Sequence, residues 1–166
     1  MNCPGEELVA IVDARNVVCG REKRRRMRSE RLRHRATYLF VFNPSGQLLL
    51  QRRTEEKDIY PGYWDAAAGG VVSYGETYDV SARRELAEEL GIEVAVLGKH
   101  FDFYFEDDTN RCFGRAFTLV HEGPFKLQPE EVSEVRFVDV DALGTDPYQR
   151  VTPDSLQALD RVRGPR

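Results

Sequence analysis

Residues 70–92 read GVVSYGETYDVSARRELAEELGI, and this stretch decides how the chain is interpreted. Its second half predicts a helix over Thr77–Leu90, followed by a glycine suited to the left-handed residue that ends a helix. On that helix Glu85, Glu88 and Glu89 fall within an arc of about 100°. Carboxylates this close repel one another, and Mg²⁺ prefers carboxylate oxygens and bridges readily to phosphates. The spacing therefore predicts a magnesium-binding helix face, and the alternative is a solvated acidic face.

The same stretch resembles the Nudix box of the Nudix hydrolase superfamily at every position that the box specifies. The resemblance implies a Mg²⁺ cofactor, with Mn²⁺ as a substitute, and a small-molecule diphosphate substrate. It implies that Glu88 and Glu89 bind the metal and that Glu85 binds metal or acts as general base. Glu76 would anchor the loop or join the outer shell of the metal, and Gly70 would let the backbone approach metal or phosphate.

Two further residues take catalytic roles in this interpretation. Arg84 is expected to orient Glu85 through a charge-assisted hydrogen bond, and the alternative is pairing along a solvated acidic helix face. Members of the family often take an extra base from a loop outside the box. Glu130, Glu131 and Glu134 are candidates here, and Glu131 is preferred over its neighbours; the alternative is the polar start of a strand.

Residues 34–140 also resemble isopentenyl-diphosphate isomerase, a specialised enzyme with the Nudix fold. The likeness is carried by HRATYLFVFNPSGQLLLQRR at residues 34–53 and PGYWD at residues 61–65. It implies that Arg53 and Lys57 contact the substrate diphosphate and that His34 matches a metal-binding histidine. For Arg53 a charged strand end, and for His34 a structural role, are the alternatives.

The residues for isomerase chemistry are missing. The isomerase needs a cysteine five residues beyond the tryptophan and a histidine two residues later, where this chain has Gly69 and Val71. Without that acid/base pair the substrate double bond cannot be protonated and deprotonated in the isomerase's way. The sequence thus favours hydrolysis on an isomerase-like frame. Trp64 is a candidate for stacking on a substrate ring, with core packing as the alternative.

The predicted fold class is α+β, a Nudix fold built as an α/β/α sandwich with a mixed sheet. With 166 residues the chain has the length of one domain. We expect an N-terminal strand and basic segment over 1–33, a core over 34–145, and a C-terminal helix over 152–163 capped at Thr152. Strands are predicted over Leu8–Asp13, Ala36–Asn43, Gln47–Arg53, Val94–Glu106, Cys112–His121 and Val135–Val140, the second and third forming a hairpin.

The composition and charge of the chain bear on its compartment and on the partners it could bind. The three cysteines are scattered, no apolar run could cross a bilayer, and no secretory leader is visible, so the cytoplasm is the default compartment. Residues 21–35 hold nine of the Lys and Arg residues and two Glu, on a chain of net charge −4. This segment could attract polyanions. A solvated arginine-rich helix or loop is the preferred interpretation, because aromatic residues for base stacking are missing.

The sequence therefore predicts Mg²⁺-dependent hydrolysis of a diphosphate linkage in a nucleoside diphosphate derivative or related metabolite. The alternatives are an isomerase-like enzyme and a non-catalytic module that binds a metabolite or RNA. A homodimer is expected by analogy with the family.

Overall fold

The computed structural model describes residues 3–93 and 96–164. The strands are β1 Leu8–Val12, β2 Val18–Lys23, β3 His34–Phe42, β4 Leu48–Arg53, β5 Trp64–Asp65, β6 Gly98–Glu106, β7 Arg111–Val120 and β8 Val132–Val138. The helices are α1 Arg24–Ser29, α2 Tyr78–Leu90 and α3 Pro153–Arg163, with short 3-10 turns over Pro4–Glu6 and Val140–Ala142. None of the described helices is both long enough and apolar enough to span a bilayer.

The centre of the mixed sheet is a parallel pair. β3 runs beside β7 from His34 opposite Cys112 to Phe42 opposite Val120. β7 also pairs antiparallel with β6, while β4 pairs antiparallel with β8. The sheet carries both parallel and antiparallel neighbours, as the sequence predicted.

The predicted hairpin between β3 and β4 forms only at its turn. The two strands pair at Phe42 and Leu48 and then diverge. The other side of β3 instead contacts the segment before α2, through Leu39 with Ala68 and Ala36 with Val71. The predicted hairpin is thus confirmed next to its turn. Along the rest of its length β3 pairs with β7, and β3 is apolar on both faces, which is typical of a strand inside a parallel sheet.

Alternate residues of β3 point into two separate core layers. Tyr38 and Phe40 pack on the side that holds Ala158 and Leu159 of α3. Leu39 and Val41 pack on the opposite side, against the helix α2 residues Ala82, Leu86 and Leu90. The sheet is thus covered by α2 on one face and α3 on the other, and the predicted α/β/α sandwich is confirmed.

Both ends of α2 are set by local chemistry. The Thr77 side chain accepts a hydrogen bond from the backbone N–H of Val80 at 3.2 Å. Gly91 ends the helix at φ +70°, the left-handed conformation that glycine adopts without strain. Helix α3 begins after Thr152 as predicted, but the Thr152 hydroxyl donates to Asp65 at 2.6 Å instead of capping the helix.

The basic segment is more ordered than the sequence suggested. It forms β2 and α1, and β2 pairs along β1. On α1 the side chains of Arg25 and Arg26 are more than half exposed, whereas those of Arg24 and Arg28 are about 15% exposed. The interpretation of a wholly solvated arginine-rich helix was therefore wrong for one face of α1.

A few strand boundaries differ from the prediction. Trp64 and Asp65 form a short strand beside β4 that was not among the predicted strands. β8 begins at Val132 and ends at Val138, and the chain then turns through Val140–Ala142. The strand predicted over Val94–Glu106 begins at Gly98, and its residues 94 and 95 lie outside the described residues.

Candidate active site

An open cleft of about 540 Å³ lies along the polar face of α2. Its walls come from α2, from the turn at Gly69 and Gly70, and from the N-terminal residues before β1. Lys57 and Glu131 close it from the opposite side. We call this space the acidic cleft, because three glutamates of α2 line it.

The glutamates of α2 differ in environment. Glu89 is buried, the Glu85 side chain is 12% exposed, and the Glu88 side chain is about half exposed. Burial raises the pKa of Glu85, and the nearby charge of Glu88 adds to this effect while Arg84 opposes it. Burial also raises the pKa of Glu89, with Glu85 as the next cause. Both carboxyls therefore bind protons more readily than in water unless a cation neutralises them.

Arg84 connects the acidic residues of the cleft. Its guanidinium donates to Glu76 at 2.9 Å, to Glu85 at 3.1 Å and to Glu88 at 3.2 Å. The contact with Glu85 has the form expected for an orienting residue, and Glu76 holds Arg84 from the loop before the helix. Burial lowers the pKa of Arg84, but the hydrogen bonds to Glu76 and the negative charges of Glu85 and Glu88 outweigh this and raise it above the usual arginine value. Arg84 therefore remains charged.

Arg84 also changes one sequence-based argument. The spacing alone suggested that the three carboxylates need a divalent ion in order to coexist, whereas Arg84 already neutralises part of the charge on Glu85 and Glu88. Within residues 3–93 and 96–164, no three acidic, histidine or cysteine side chains are gathered into a ready-made metal site.

The residues nevertheless fit a hard divalent cation. The buried Glu89 carboxyl accepts a long hydrogen bond of 3.4 Å from the Gly69 backbone N–H. A Cβ built on Gly70 would lie 2.9 Å from a Glu85 carboxylate oxygen, so glycine leaves space beside the carboxylates. All the side-chain donors are carboxylate oxygens, the ligands that Mg²⁺ prefers. Glu85, Glu88 and Glu89 are the residues that would hold the ion.

Glu131 and Lys57 face α2 across the cleft. Their side chains form an ion pair, and both are mostly buried. The negative charge of Glu131 contributes to the raised pKa of Glu89, and the positive charge of Lys57 opposes it. The structure thus brings Glu131 and Lys57 to the same cleft as the box glutamates.

Arg53 and Trp64 have other surroundings. The Arg53 guanidinium donates to Asp65 at 2.8 Å and twice to the Ile59 carbonyl, and it lines a second cavity behind the cleft. Trp64 is buried in the core on the α3 side, with the Arg136 guanidinium 4.6 Å from its ring centroid. The position of Trp64 matches the core-packing alternative.

The second cavity, the inner cavity, is small and polar. It has a volume of about 60 Å³ and is lined by Arg28, His34, Asn110 and Asp154, among others. It shares Arg24, Lys57, Gly69 and Gly70 with the acidic cleft, so these residues separate the two spaces.

Sequence analysis missed Arg24 as a cleft residue. The signal was present as two arginines, Arg24 and Arg28, four residues apart around the apolar Met27. Met27 is the buried residue of α1, which turns this side of the helix towards the protein. The run of basic residues on both sides of the pair obscured that pattern.

Comparison with known proteins agrees with this arrangement. Residues 32–161 match the family model of the NUDIX domain. An uncharacterized Nudix hydrolase of Yersinia pestis is 50% identical over 92% of this chain and 84% of its own length. The uncharacterized Nudix hydrolase YfcD of Escherichia coli K12 is 48% identical over the same shares.

Solved structures share the fold. A crystal structure of a Deinococcus radiodurans protein superposes with a TM-score of 0.79, at 25% identity over 93% of this chain and 98% of that chain. The NUDIX domain of Shewanella oneidensis NrtR, crystallised with ADP ribose, gives 0.62 at 18% identity over 79% of this chain and 85% of that chain. From the family match and the relatives near 50% identity, the chain belongs to the Nudix family and is a Nudix hydrolase.

Proposed function

We propose that this hydrolase cleaves a diphosphate linkage in a nucleoside diphosphate derivative or a related metabolite, with Mg²⁺ as its cofactor. The observation that supports this most directly is the acidic cleft itself. Glu85, Glu88 and Glu89 face one space, Gly70 leaves room beside them, and Lys57 and Glu131 lie opposite. Bound Mg²⁺, or Mn²⁺ in its place, would neutralise the diphosphate and polarise its phosphoryl oxygens.

The side chains of the cleft have separate roles in the proposed reaction. Glu85 accepts the proton of the attacking water, and Arg84 holds its carboxylate through the 3.1 Å contact. Glu131 is a second candidate base, held by Lys57, and Lys57 can also contact a phosphate when Glu131 turns to the water. Glu76 acts through Arg84 rather than on the substrate, because it contacts the Arg84 guanidinium at 2.9 and 3.1 Å.

The isomerase-like reaction is the weaker alternative. At the position of the isomerase cysteine, Gly69 has φ +130°, and a Cβ there would lie 2.1 Å from the Thr37 carbonyl oxygen. No side chain fits this backbone without a shift of β3. We therefore infer that the likeness to isopentenyl-diphosphate isomerase describes the frame of the protein and not its reaction.

The proposal can be tested with purified protein and a panel of nucleoside diphosphate derivatives, ADP ribose, dinucleoside polyphosphates, coenzyme A and isoprenoid diphosphates, with and without Mg²⁺. We expect metal-dependent release of phosphorylated products from at least one compound. Glu85→Gln and Glu88→Gln should each lower kcat by about 100-fold or more. Asp79→Asn, an exposed change on the same helix, should leave the rate unchanged.

Two outcomes would contradict the proposal. One is turnover that does not need metal or that survives both glutamine substitutions. The other is binding of a panel compound or of RNA with no turnover under any condition, which would favour a non-catalytic module. The cytoplasmic location and the homodimer stay predictions, and light scattering on the purified protein tests the second.

A further inference from the structure

Phosphate binding in the acidic cleft needs positive charge that the cleft largely lacks. Among the described residues that line it, seven are glutamates and three are cations, namely Arg24, Lys57 and Arg84. A diphosphate approaching these walls meets net negative charge, even with one divalent ion present. The position and partners of the three cations therefore decide where a phosphate can bind.

Two of these cations are already engaged. Arg84 donates to Glu76, Glu85 and Glu88, and Lys57 pairs with Glu131. Arg24 differs: its Nε donates to Asp58 at 3.0 Å, while its terminal nitrogens make no hydrogen bond to the described residues. Its Nη1 has only a longer ionic contact of 3.6 Å with Glu7. The outer edge of the guanidinium is thus available, and this is the edge that suits a phosphate.

Arg28 adds a second positive charge behind Arg24. The Nε atoms of Arg24 and Arg28 contact the same oxygen of Asp58, at 3.0 and 3.1 Å. One carboxylate thus serves two mostly buried guanidiniums, and the Glu7 carboxylate, 3.6 Å from Arg24 Nη1, is a second anion beside the pair. Arg28 also donates to Asn110 at 3.3 Å, which fixes it on the inner side. A phosphate beside Arg24 would offer its terminal nitrogens closer acceptors than Glu7 does at 3.6 Å.

Arg24 also lies where the spaces of the molecule meet. It lines the acidic cleft, the inner cavity and a wider depression between α1 and residues 56–58. A group held by Arg24 is therefore next to the box glutamates on one side and to room for the rest of a substrate on the other.

Building on the proposed function, we propose that Arg24, with Arg28 behind it, binds the phosphate of the diphosphate that is not attacked. The N-terminal helix α1, which lies before the segment matched by the family model, thereby contributes a substrate-binding residue to the site. The ligand class is a diphosphate or diphosphonate bound as its anion, held between the Arg24 fork and the cation-binding wall of α2.

The test measures the binding of methylenediphosphonate, whose P–C–P bridge resists hydrolysis, by calorimetry in the presence of Mg²⁺. We expect Arg24→Gln to weaken its Kd about 10- to 100-fold, the range for a lost hydrogen bond to a charged group. The Kd of Arg24→Lys should lie between those of the unmodified protein and Arg24→Gln, because lysine keeps the charge but lacks the forked pair of donors. Arg26→Gln is the matched control, since Arg26 is exposed on the same helix and lines none of these three spaces.

A second variant separates binding from folding. Asp58→Asn removes the carboxylate that competes for both guanidiniums, so the affinity for methylenediphosphonate should rise several-fold. A folding defect cannot produce tighter binding. Equal affinities for Arg24→Gln and Arg26→Gln, or unchanged or weaker binding in Asp58→Asn, would overturn the proposal.

The result can be read separately from the hydrolase assay. If the glutamine variants of α2 lose turnover but Arg24→Gln binds the probe normally, the role of Arg24 is wrong and the hydrolase proposal stands. If Arg24→Gln and Asp58→Asn shift the affinity as expected while no compound is hydrolysed, the anion site stands without the proposed reaction.

Discussion

His34 borders the inner cavity without adding charge to it. The ring is buried, and its Nδ1 lies 2.9 Å from the Leu32 carbonyl oxygen, to which it donates when neutral. Burial, reinforced by the positive charge of Arg28, lowers the pKa of His34 to about 3. The ring is therefore neutral near pH 7, and the arginines in the wall of the inner cavity carry its positive charge.

This lowered pKa predicts a pH dependence of stability. Between pH 6.5 and about 3 the unfolded chain binds a proton at His34 and the folded protein does not. The free energy of unfolding should thus fall as the pH drops below 6.5, by up to about 1.4 kcal/mol per pH unit from this residue. Urea unfolding from pH 7 to pH 5 should show a flatter dependence in His34→Gln than in the unmodified protein.

His100→Gln is the matched control for that series, because His100 is exposed on β6. It should keep the pH dependence of the unmodified protein. Identical slopes for His34→Gln and His100→Gln would show that His34 is not the group responsible.

At the scale of elements, α2 positions the site because one of its faces packs in the core and the other lines the acidic cleft. Ala82, Leu86 and Leu90 anchor the helix in the core, while Glu85 and Glu88 face the cleft. The register of the carboxylates is consequently fixed by packing on the opposite side. The cap at Thr77 fixes where this register begins.

Removal of the cap should weaken the helix. Thr77→Ala deletes the acceptor of the Val80 N–H and should lower the free energy of unfolding by about 1 kcal/mol. Thr77→Ser keeps the hydroxyl, so its free energy of unfolding should fall far less. Urea midpoints at an unchanged m-value measure both changes, and equal losses in the two variants would mean that the hydroxyl does not cap α2.

The elements that sequence predicted well are those governed by local rules. α2 was predicted from the second half of residues 70–92 and from Gly91, and it begins and ends within one residue of the expected bounds. The box glutamates and their contact with Arg84 follow from the same helix. The parallel pairing of β3 with β7 was not predicted, because it joins distant residues and no turn sequence records it.

The parts of the candidate site that depend on tertiary contacts were harder to predict. The burial of Arg24 depends on Asp58, a residue 34 positions away in a loop, and composition showed only a basic run. The contacts of Thr152 have the same origin, since its hydroxyl donates to Asp65, 87 positions away, and makes no cap hydrogen bond to α3. Long-range partners decide such side chains, and a single sequence does not display them.

At the scale of the whole molecule, the N-terminal segment is joined to the rest by backbone contacts. Ala10 N–H donates to the Val72 carbonyl, and Tyr74 N–H donates to the Leu8 carbonyl. Val9 and Met27 pack against Val71 from the box side. These contacts support the prediction that residues 1–33 belong to the same domain as the core.

Hydrogen exchange followed by mass spectrometry tests this division. If β1 belongs to the same cooperative unit, peptides covering Leu8–Val12 should exchange with the same free energy of opening as peptides covering β3. The exposed segment 144–148 should exchange fast and serves as the internal reference. A much lower free energy of opening for β1 than for β3 would place the N-terminal segment in a separate unit.

The parallel pair at the centre of the sheet joins two strands that the ribosome makes far apart in time. Residue 34 is made long before residue 112, its neighbour in space, and every later pair keeps the same offset. Until β7 emerges, the growing chain carries β3 with two apolar faces and an open edge, while α2 can already form from local contacts. Because such distant pairing closes late, the nascent chain exposes the apolar faces of β3 until residues 112–120 have been made.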